Sequence, residues 1–296
     1  MKLYRDFVQQ EEIDLQYDCE SSLNMPPIID WVVGSSKKTR DDLVCHLDQR
    51  FGPTLDETVD IFPAEEPNAP VLIIIHGGWW RVTSSKEWSF LARGPVGLGF
   101  TVVVTNYSLC PKVSIDEITR QTRAAVAWVH GNASRFNGDP DRIFVAGHSA
   151  GGHLVGMLAI TDWSGEYGLP NDVVKGGIPI SGLFDLRPFR HSWLQPKLQL
   201  NYDTIERQSP LFHVPADTSK FPMLITLGGD EPEEFHRQSK TFADAWAASG
   251  GFVRLLDQPG KNHFTALEGF ESAESELCRA ILELVANREG ASLRTE

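Results

Sequence analysis

The sequence predicts an α/β fold: one domain built on an about eight-stranded, mostly parallel sheet with helices on both faces and an antiparallel edge on its N-terminal side. Three observations carry this prediction. From Leu43 onward, short apolar runs bounded by Gly, Pro and Asn alternate with longer segments of helical period. Most of those runs are continuously apolar, as strands buried on both faces must be. The chain has 296 residues, 41% hydrophobic and 23% charged, which suffices for one large core.

Residues 1–40 mix charges, Pro26-Pro27 and polar residues without a sustained period, so they read as a helical and irregular extension packed on the domain. The strand candidates then follow as 43–47 (LVCHL), 57–62 (ETVDIF), 71–76 (VLIIIH), 101–107 (TVVVTNY), 142–147 (RIFVAG), 176–182 (GGIPISG), 222–228 (PMLITLG) and 252–257 (FVRLLD). The first two alternate polar with apolar residues and lie close together, which suits an antiparallel edge pair. Helices are expected over 114–136, where Ile115, Ile118, Ala125, Val129 and Phe136 follow a helical period, and over 150–160, 234–248 and 271–286. The stretch 183–221 has no strand character and carries Trp193, Tyr202 and several prolines, so it is expected to form a small lid-like insertion above the sheet. No repeat, low-complexity tract or linker divides the chain, and 1–296 is expected to be a single domain.

Composition excludes several function classes. The net charge is −13 and the longest basic run is Lys37-Lys38, so nothing would neutralise a phosphate backbone and no nucleic-acid partner is expected. The first residues, MKLYRDFVQQEEID, lack the apolar stretch of a secretion signal, and no later run is long enough to span a bilayer. A cytoplasmic protein with no membrane partner is expected. Four cysteines, Cys19, Cys45, Cys110 and Cys278, show no C-x-x-C spacing, which argues for reduced, structural thiols rather than a disulfide framework or a zinc site. No metal and no cofactor are expected.

The chemistry is carried by two motifs. In RIFVAGHSAGGHL (142–154) a G-x-S-x-G pattern stands between a strand and a helix. The pattern is short enough to arise by chance, and its context is what gives it weight. A tight strand-to-helix turn would push the Ser149 hydroxyl outward, with Gly147 and Gly151 where a Cβ would collide with backbone. The N–H groups at the start of the helix would face whatever Ser149 attacks. The second motif, HGGWW (76–80), ends an earlier strand. A tetrahedral intermediate needs backbone donors from the residue after the nucleophile and from such a loop, which assigns Gly77, Gly78 and Ala150 as oxyanion-binding donors. Read alone, HGG is a turn followed by core tryptophans; read with GHSAG downstream, Trp79 and Trp80 wall a substrate pocket. His76 then braces the loop by hydrogen bonding.

A serine nucleophile needs a base and the base an orienting carboxylate, in the chain order Ser, Asp/Glu, His for this architecture. Of nine histidines, His263 is the one in a late loop, PGKNHF, between the last strand and the final helix. It is the candidate base. His148 and His153 flank the nucleophile at a spacing that gives no metal site and suits packing. For the acid, Asp230 and Glu231 compete within GGDEPEEF; Asp is the commoner residue type, while the register of a G-x-x-D/E turn counted from Gly228 favours Glu231.

Together these residues resemble the α/β-hydrolase superfamily, and more narrowly the branch of kynurenine formamidases (arylformamidases) and related HGG-type esterases. The resemblance covers most of 43–290 and includes HGGxW at 76–80, NYSLCP at 106–111, GHSAGGHL at 147–154, SGLFDLRPF at 181–189, SPLFH at 209–213 and EFHRQS at 234–239. It implies Ser149 as nucleophile, His263 as base and an acid four residues before the Phe of EFHRQS. That position is Glu231, where animal formamidases carry Asp.

The function expected from these readings is a serine hydrolase that cleaves a small ester or amide through an acyl-enzyme. An aromatic or otherwise flat substrate would fit a mouth lined by Trp79, Trp80 and Phe184 or Trp193 of the insertion, side chains that suit the core equally well, and the resemblance implies an arylformamidase-like reaction. A general short-chain carboxylesterase is the alternative of the same mechanism, and a hydrolase-fold protein that binds a ligand without turnover is the alternative of another class.

Overall fold

The computed structural model describes residues 2–292. Eight strands form one sheet: β1 (His46–Arg50), β2 (Thr58–Phe62), β3 (Ala69–Ile75), β4 (Thr101–Thr105), β5 (Gly138–His148), β6 (Val174–Ile180), β7 (Met223–Gly228) and β8 (Val253–Gln258). Their spatial order is β1-β2-β4-β3-β5-β6-β7-β8. The β1–β2 and β2–β4 pairings are antiparallel, and the remaining five are parallel. The expected mixed sheet with an antiparallel edge is therefore what the chain forms.

Two boundaries moved for local reasons. Leu43 to Cys45 do not open β1, because the helix Met25–Asp42 runs up to them and the Leu43 N–H is spent on the Thr39 carbonyl. The strand instead takes the mostly exposed HLDQR, which suits an edge with a single neighbour. The last helix begins at Glu276 rather than 271. Residues Thr265–Glu271 close as a 3-10 turn, and the Ser275 hydroxyl accepts the Cys278 N–H at the new start.

The core follows from the two-residue period of the strands. Val71, Ile73, Ile75 and Val145 face the helices Ile115–Asn132 and Ala150–Ala159 on one side of the sheet. Leu72, Ile74, Phe144 and Ala146 face Phe90, Leu91, Leu277 and Ile281 on the other. Continuous apolar strands are needed because neither face meets water.

The chain order reverses direction across the sheet between β3 and β5: β4 lies to one side of β3, and β5 to β8 continue on the other. A crevice opens at the carboxyl ends of the strands at such a switch point. Ile75 of β3 is level with Gly147 of β5. The register thus places the loop after Ile75 beside the turn after His148.

The segment 183–221 contains no strand and folds as short helical turns, of which Arg187–His191, Gln195–Leu198, Tyr202–Gln208 and Pro210–His213 are defined. Leu183, Leu186, Phe189 and Leu194 sink into the core. The N-terminal residues form the helices Gln10–Gln16 and Met25–Asp42. They are clamped to the domain by a buried polar network. Tyr4 Oη donates to Asp185 Oδ2 (2.9 Å), and Tyr17 Oη donates to Glu234 Oε2 (3.1 Å). Arg237 donates to Tyr4 Oη and Glu234, and Gln238 Nε2 donates to Tyr17 Oη (2.9 Å). The Gln238 carbonyl oxygen in turn accepts the N–H groups of Phe184 and Asp185.

Candidate active site

Ser149 sits between the end of β5 and the first turn of Ala150–Ala159 with φ 56° and ψ −115°, a conformation that costs a non-glycine residue about 1–3 kcal/mol. Its N–H is fixed by the Ile180 carbonyl at 2.8 Å. The glycines around it are obligatory in two places. A Cβ at Gly147 would stand 2.3 Å from the Gly151 carbonyl oxygen, and one at Gly151 would stand 2.1 Å from that of Ile75. The Ser149 side chain makes no hydrogen bond to the chain among the described residues, which leaves its hydroxyl uncommitted.

His263 lies in the loop beyond β8, and its Nδ1 is 2.7 Å from Glu231 Oε2. Both side chains are buried. Glu231 follows β7 and its second oxygen is also held: Oε1 accepts the Ser181 hydroxyl at 2.6 Å and the Gly228 N–H at 2.7 Å. Asp230, the competitor, is exposed; its N–H bonds the Lys261 carbonyl. A carboxylate on Nδ1 selects the tautomer that leaves Nε2 free to take a proton. Burial by itself would favour neutral His263, but the Cys19 sulfur and the Glu231 carboxylate act against it and the net displacement is upward. Burial also raises the Cys19 thiol. At neutral pH the Glu231 carboxylate is therefore the charge that favours imidazolium.

His148, next to Ser149, accounts for the position of the His263 backbone. Its Nε2 donates to the His263 carbonyl at 2.8 Å, and burial depresses its own protonation strongly. Neutral His148 thus ties the Ser149 turn to the His263 loop.

The loop after β3 is shaped by close approach. A Cβ on Gly77 would lie 2.9 Å from His148 Nδ1 and 3.3 Å from Ser149 Cβ, and Gly78 takes φ +108°. The Gly77 carbonyl accepts the Thr83 hydroxyl, and that of Gly78 accepts the N–H groups of Arg81 and Val82. With their carbonyls engaged on the loop side, the N–H groups of Gly77 and Gly78 have no acceptor among the described residues. Ala150, as the first helical residue, has a free N–H by position. His76 braces this loop: its Nδ1 is 2.8 Å from the Gly77 carbonyl oxygen, its ring stacks on Tyr107 at 4.0 Å, and burial lowers its pKa to about 4.

The two tryptophans separate. Both take left-handed backbone, φ 54° and 56°. Trp80 is fully buried, donates Nε1–H to His153 Nδ1 and packs edge-on against Phe189, so it stiffens the loop from below. Trp79 meets Phe189, Phe235 and Trp193, and lines a cleft of ≈370 Å³ together with Cys19, Arg81 and Trp193. Phe184 has no part in that cleft: it is buried and stacks on Phe242 at 4.1 Å. Two groups carried no signal in the sequence. Ser181 stands on a separate strand end, and Cys19 arrives from an extension whose docking site cannot be read locally.

The chain is similar to known hydrolases. Residues 59–246 match the family BD-FAE. The chain is 28% identical to kynurenine formamidase of Danio rerio over 244 residues, covering 81% of each protein. It is 28% identical to esterase LipQ of Mycobacterium tuberculosis over 239 residues, covering 74% of this chain and 54% of that one. A crystal structure of a provisionally assigned thioesterase from Silicibacter sp. TM1040 superposes with TM-score 0.78 at 27% identity, covering 92% of this chain and 99% of the other. An esterase of Pyrobaculum calidifontis, at TM-score 0.68 and 18% identity over 96% and 99% of the two chains, shares the fold. With the family match spanning more than half of its length, the chain belongs to the BD-FAE family and is a serine-type hydrolase of the α/β-hydrolase fold that acts on ester or amide bonds.

Proposed function

We propose that the protein is an arylformamidase-like hydrolase in which Ser149 is the nucleophile, His263 the base and Glu231 its orienting acid. Ser149 Oγ attacks the carbonyl carbon of an aryl formamide or small ester while His263 Nε2 takes the hydroxyl proton. The N–H groups of Gly77, Gly78 and Ala150 hold the oxyanion, and collapse of the intermediate expels the amine or alcohol with the proton from His263. Water then enters, loses a proton to His263 and releases the acyl group from Ser149. Glu231 keeps Nδ1–H aligned.

The observation that carries this reading is the buried 2.7 Å pair of His263 Nδ1 with Glu231 Oε2, at the same end of the sheet as the strained Ser149 turn. The aromatic preference is supported by Trp79 and Trp193, which line the adjoining cleft with their rings 6.1 Å apart. The formamide is supported by the likeness to the Danio rerio enzyme. The likeness to esterase LipQ favours a second reading, a short-chain carboxylesterase of the same mechanism. Four free cysteines suit a reducing compartment, and we place the protein in the cytoplasm. No helix among the described residues is long and apolar enough to cross a membrane.

The test compares kcat/KM on N-formylkynurenine with that on a short-chain p-nitrophenyl ester, with Ser149→Ala as the blank. Faster serine-dependent turnover of the formamide is the expected result. Ester turnover with no formamide turnover leaves the mechanism and replaces the substrate; turnover that survives Ser149→Ala overturns the nucleophile.

A further inference from the structure

The hydrolytic reading makes no use of Cys19, yet its thiol stands at the base. Cys19, Glu231 and His263 come from three distant parts of the chain, the N-terminal extension, the turn after β7 and the loop after β8. One ligand-type atom from each lies within 4.8 Å of the other two, and all three side chains are buried. A thiol, an imidazole and a carboxylate form the donor set of a borderline-soft divalent cation, whereas Mg2+ and Ca2+ demand oxygen ligands. The approach is also cationic in preference. The cleft beside Cys19 carries Glu11, Asp14, Asp18 and Glu20 against the single cation Arg81.

We infer that Cys19, Glu231 and His263 form an inhibitory binding site for Zn2+, which shuts the enzyme by taking the base out of use. The three side chains supply sulfur, nitrogen and oxygen to a tetrahedral ion, and a water or the substrate carbonyl takes the fourth position. On binding, the Cys19 thiol loses its proton to solvent, and the thiolate with the Glu231 carboxylate neutralises the two positive charges of the ion. The Glu231–His263 hydrogen bond opens, and the imidazole no longer serves Ser149. The three donor atoms already lie within 4.8 Å of one another.

The binding stands on these three side chains; its effect on turnover rests on the hydrolase reading above. The experiment therefore has two readouts. Equilibrium dialysis of Ser149→Ala protein against Zn2+, and the thiolate-to-metal absorption band on Co2+ addition, report binding without turnover. Ester hydrolysis titrated with Zn2+, with Mg2+ as the control, reports inhibition. The expected result is one equivalent of Zn2+ and a thiolate–cobalt band, both lost in Cys19→Ala and in the better-packed Cys19→Ser. Inhibition by Zn2+ but not Mg2+ should weaken at least about tenfold in the folded variants, since even partners behind a metal ligand are worth that much. A wild-type protein without the cobalt band, or Zn2+ inhibition unchanged in both Cys19 variants, overturns the site. Binding that is intact in a protein with no serine-dependent turnover leaves the metal site standing and removes the inhibitory role.

Discussion

Glu231 has its two oxygens committed to different tasks, one to His263 and the other to Ser181 and Gly228. Glu231→Gln keeps an acceptor for Ser181 and Gly228 but presents an amide N–H2 to His263 Nδ1, which turns the imidazole to the wrong tautomer. A fall in kcat of about 10⁴ is expected, the order seen when such an acid is made an amide. Asp230→Asn, on an exposed side chain, should leave the steady-state rate within about twofold, because a surface change away from the site removes no such contact. Equal losses in both variants would return the acid to Asp230. The contrast explains what was readable here. Turn spacing brought the choice to adjacent residues, but which of them points inward depends on Ser181 and on the Gly228 N–H, neither of which is marked in the local pattern. Cys19 is harder still, because nothing within twenty residues of it signals a partner at position 263.

The Ser149 turn rests on a contact between elements, the start of Ala150–Ala159 lying against the end of β3. A methyl at Gly151 would meet the carbonyl oxygens of Ile75 and His76 at 2.1 and 2.7 Å, and backbone atoms of a central strand do not move aside. Gly151→Ala should therefore cost about 3 kcal/mol or more in urea unfolding, at the upper end of overpacking effects, and should lower turnover with it. Gly34→Ala, in a helix with open space around the position, is the control and should be neutral or stabilising. The central strands β3, β4, β6 and β7 were legible because double burial demands unbroken apolar runs. The ends of elements were not: Leu43 to Cys45 read as strand by composition but serve as the exit of a helix, and the 3-10 turn over 265–271 has no period of its own. The insertion at 183–221 was recognisable by its lack of strands, whereas the burial of Phe184 depended on a helix fifty residues later.

For the molecule as a whole, three buried neutral histidines, His76, His148 and His153, set an acid limit. Burial lowers His76 and His153 to about 4, against 6.5 in an unfolded chain, and depresses His148 further still. Between those values the unfolded chain binds the more protons, so stability falls as pH drops from 6.5 toward 4. His76 and His153 each contribute about 3 kcal/mol to that loss. His263 is displaced upward, so its own contribution is present below 6.5 and is lost only above it, outside this window. Thermal unfolding at pH 7 and pH 5 should show the acid loss, and His153→Gln should flatten it. A melting temperature unchanged between the two values would mean that these buried rings are charged in the fold.

The clamp on the N-terminal extension bears on how the protein is made. Tyr17 finds its hydroxyl partner 217 residues later, at Glu234. A ribosome adding about 5–20 residues each second leaves Ile13 and Tyr17 without their pocket for about 10–40 s. Through that interval the apolar side of the first helix is open to solvent and to chaperones. Cys19 reaches His263 only once the carboxyl-terminal loop has emerged. The wall of the cleft is thus joined last, and a nascent or truncated chain lacking the final third has no finished pocket in which to react.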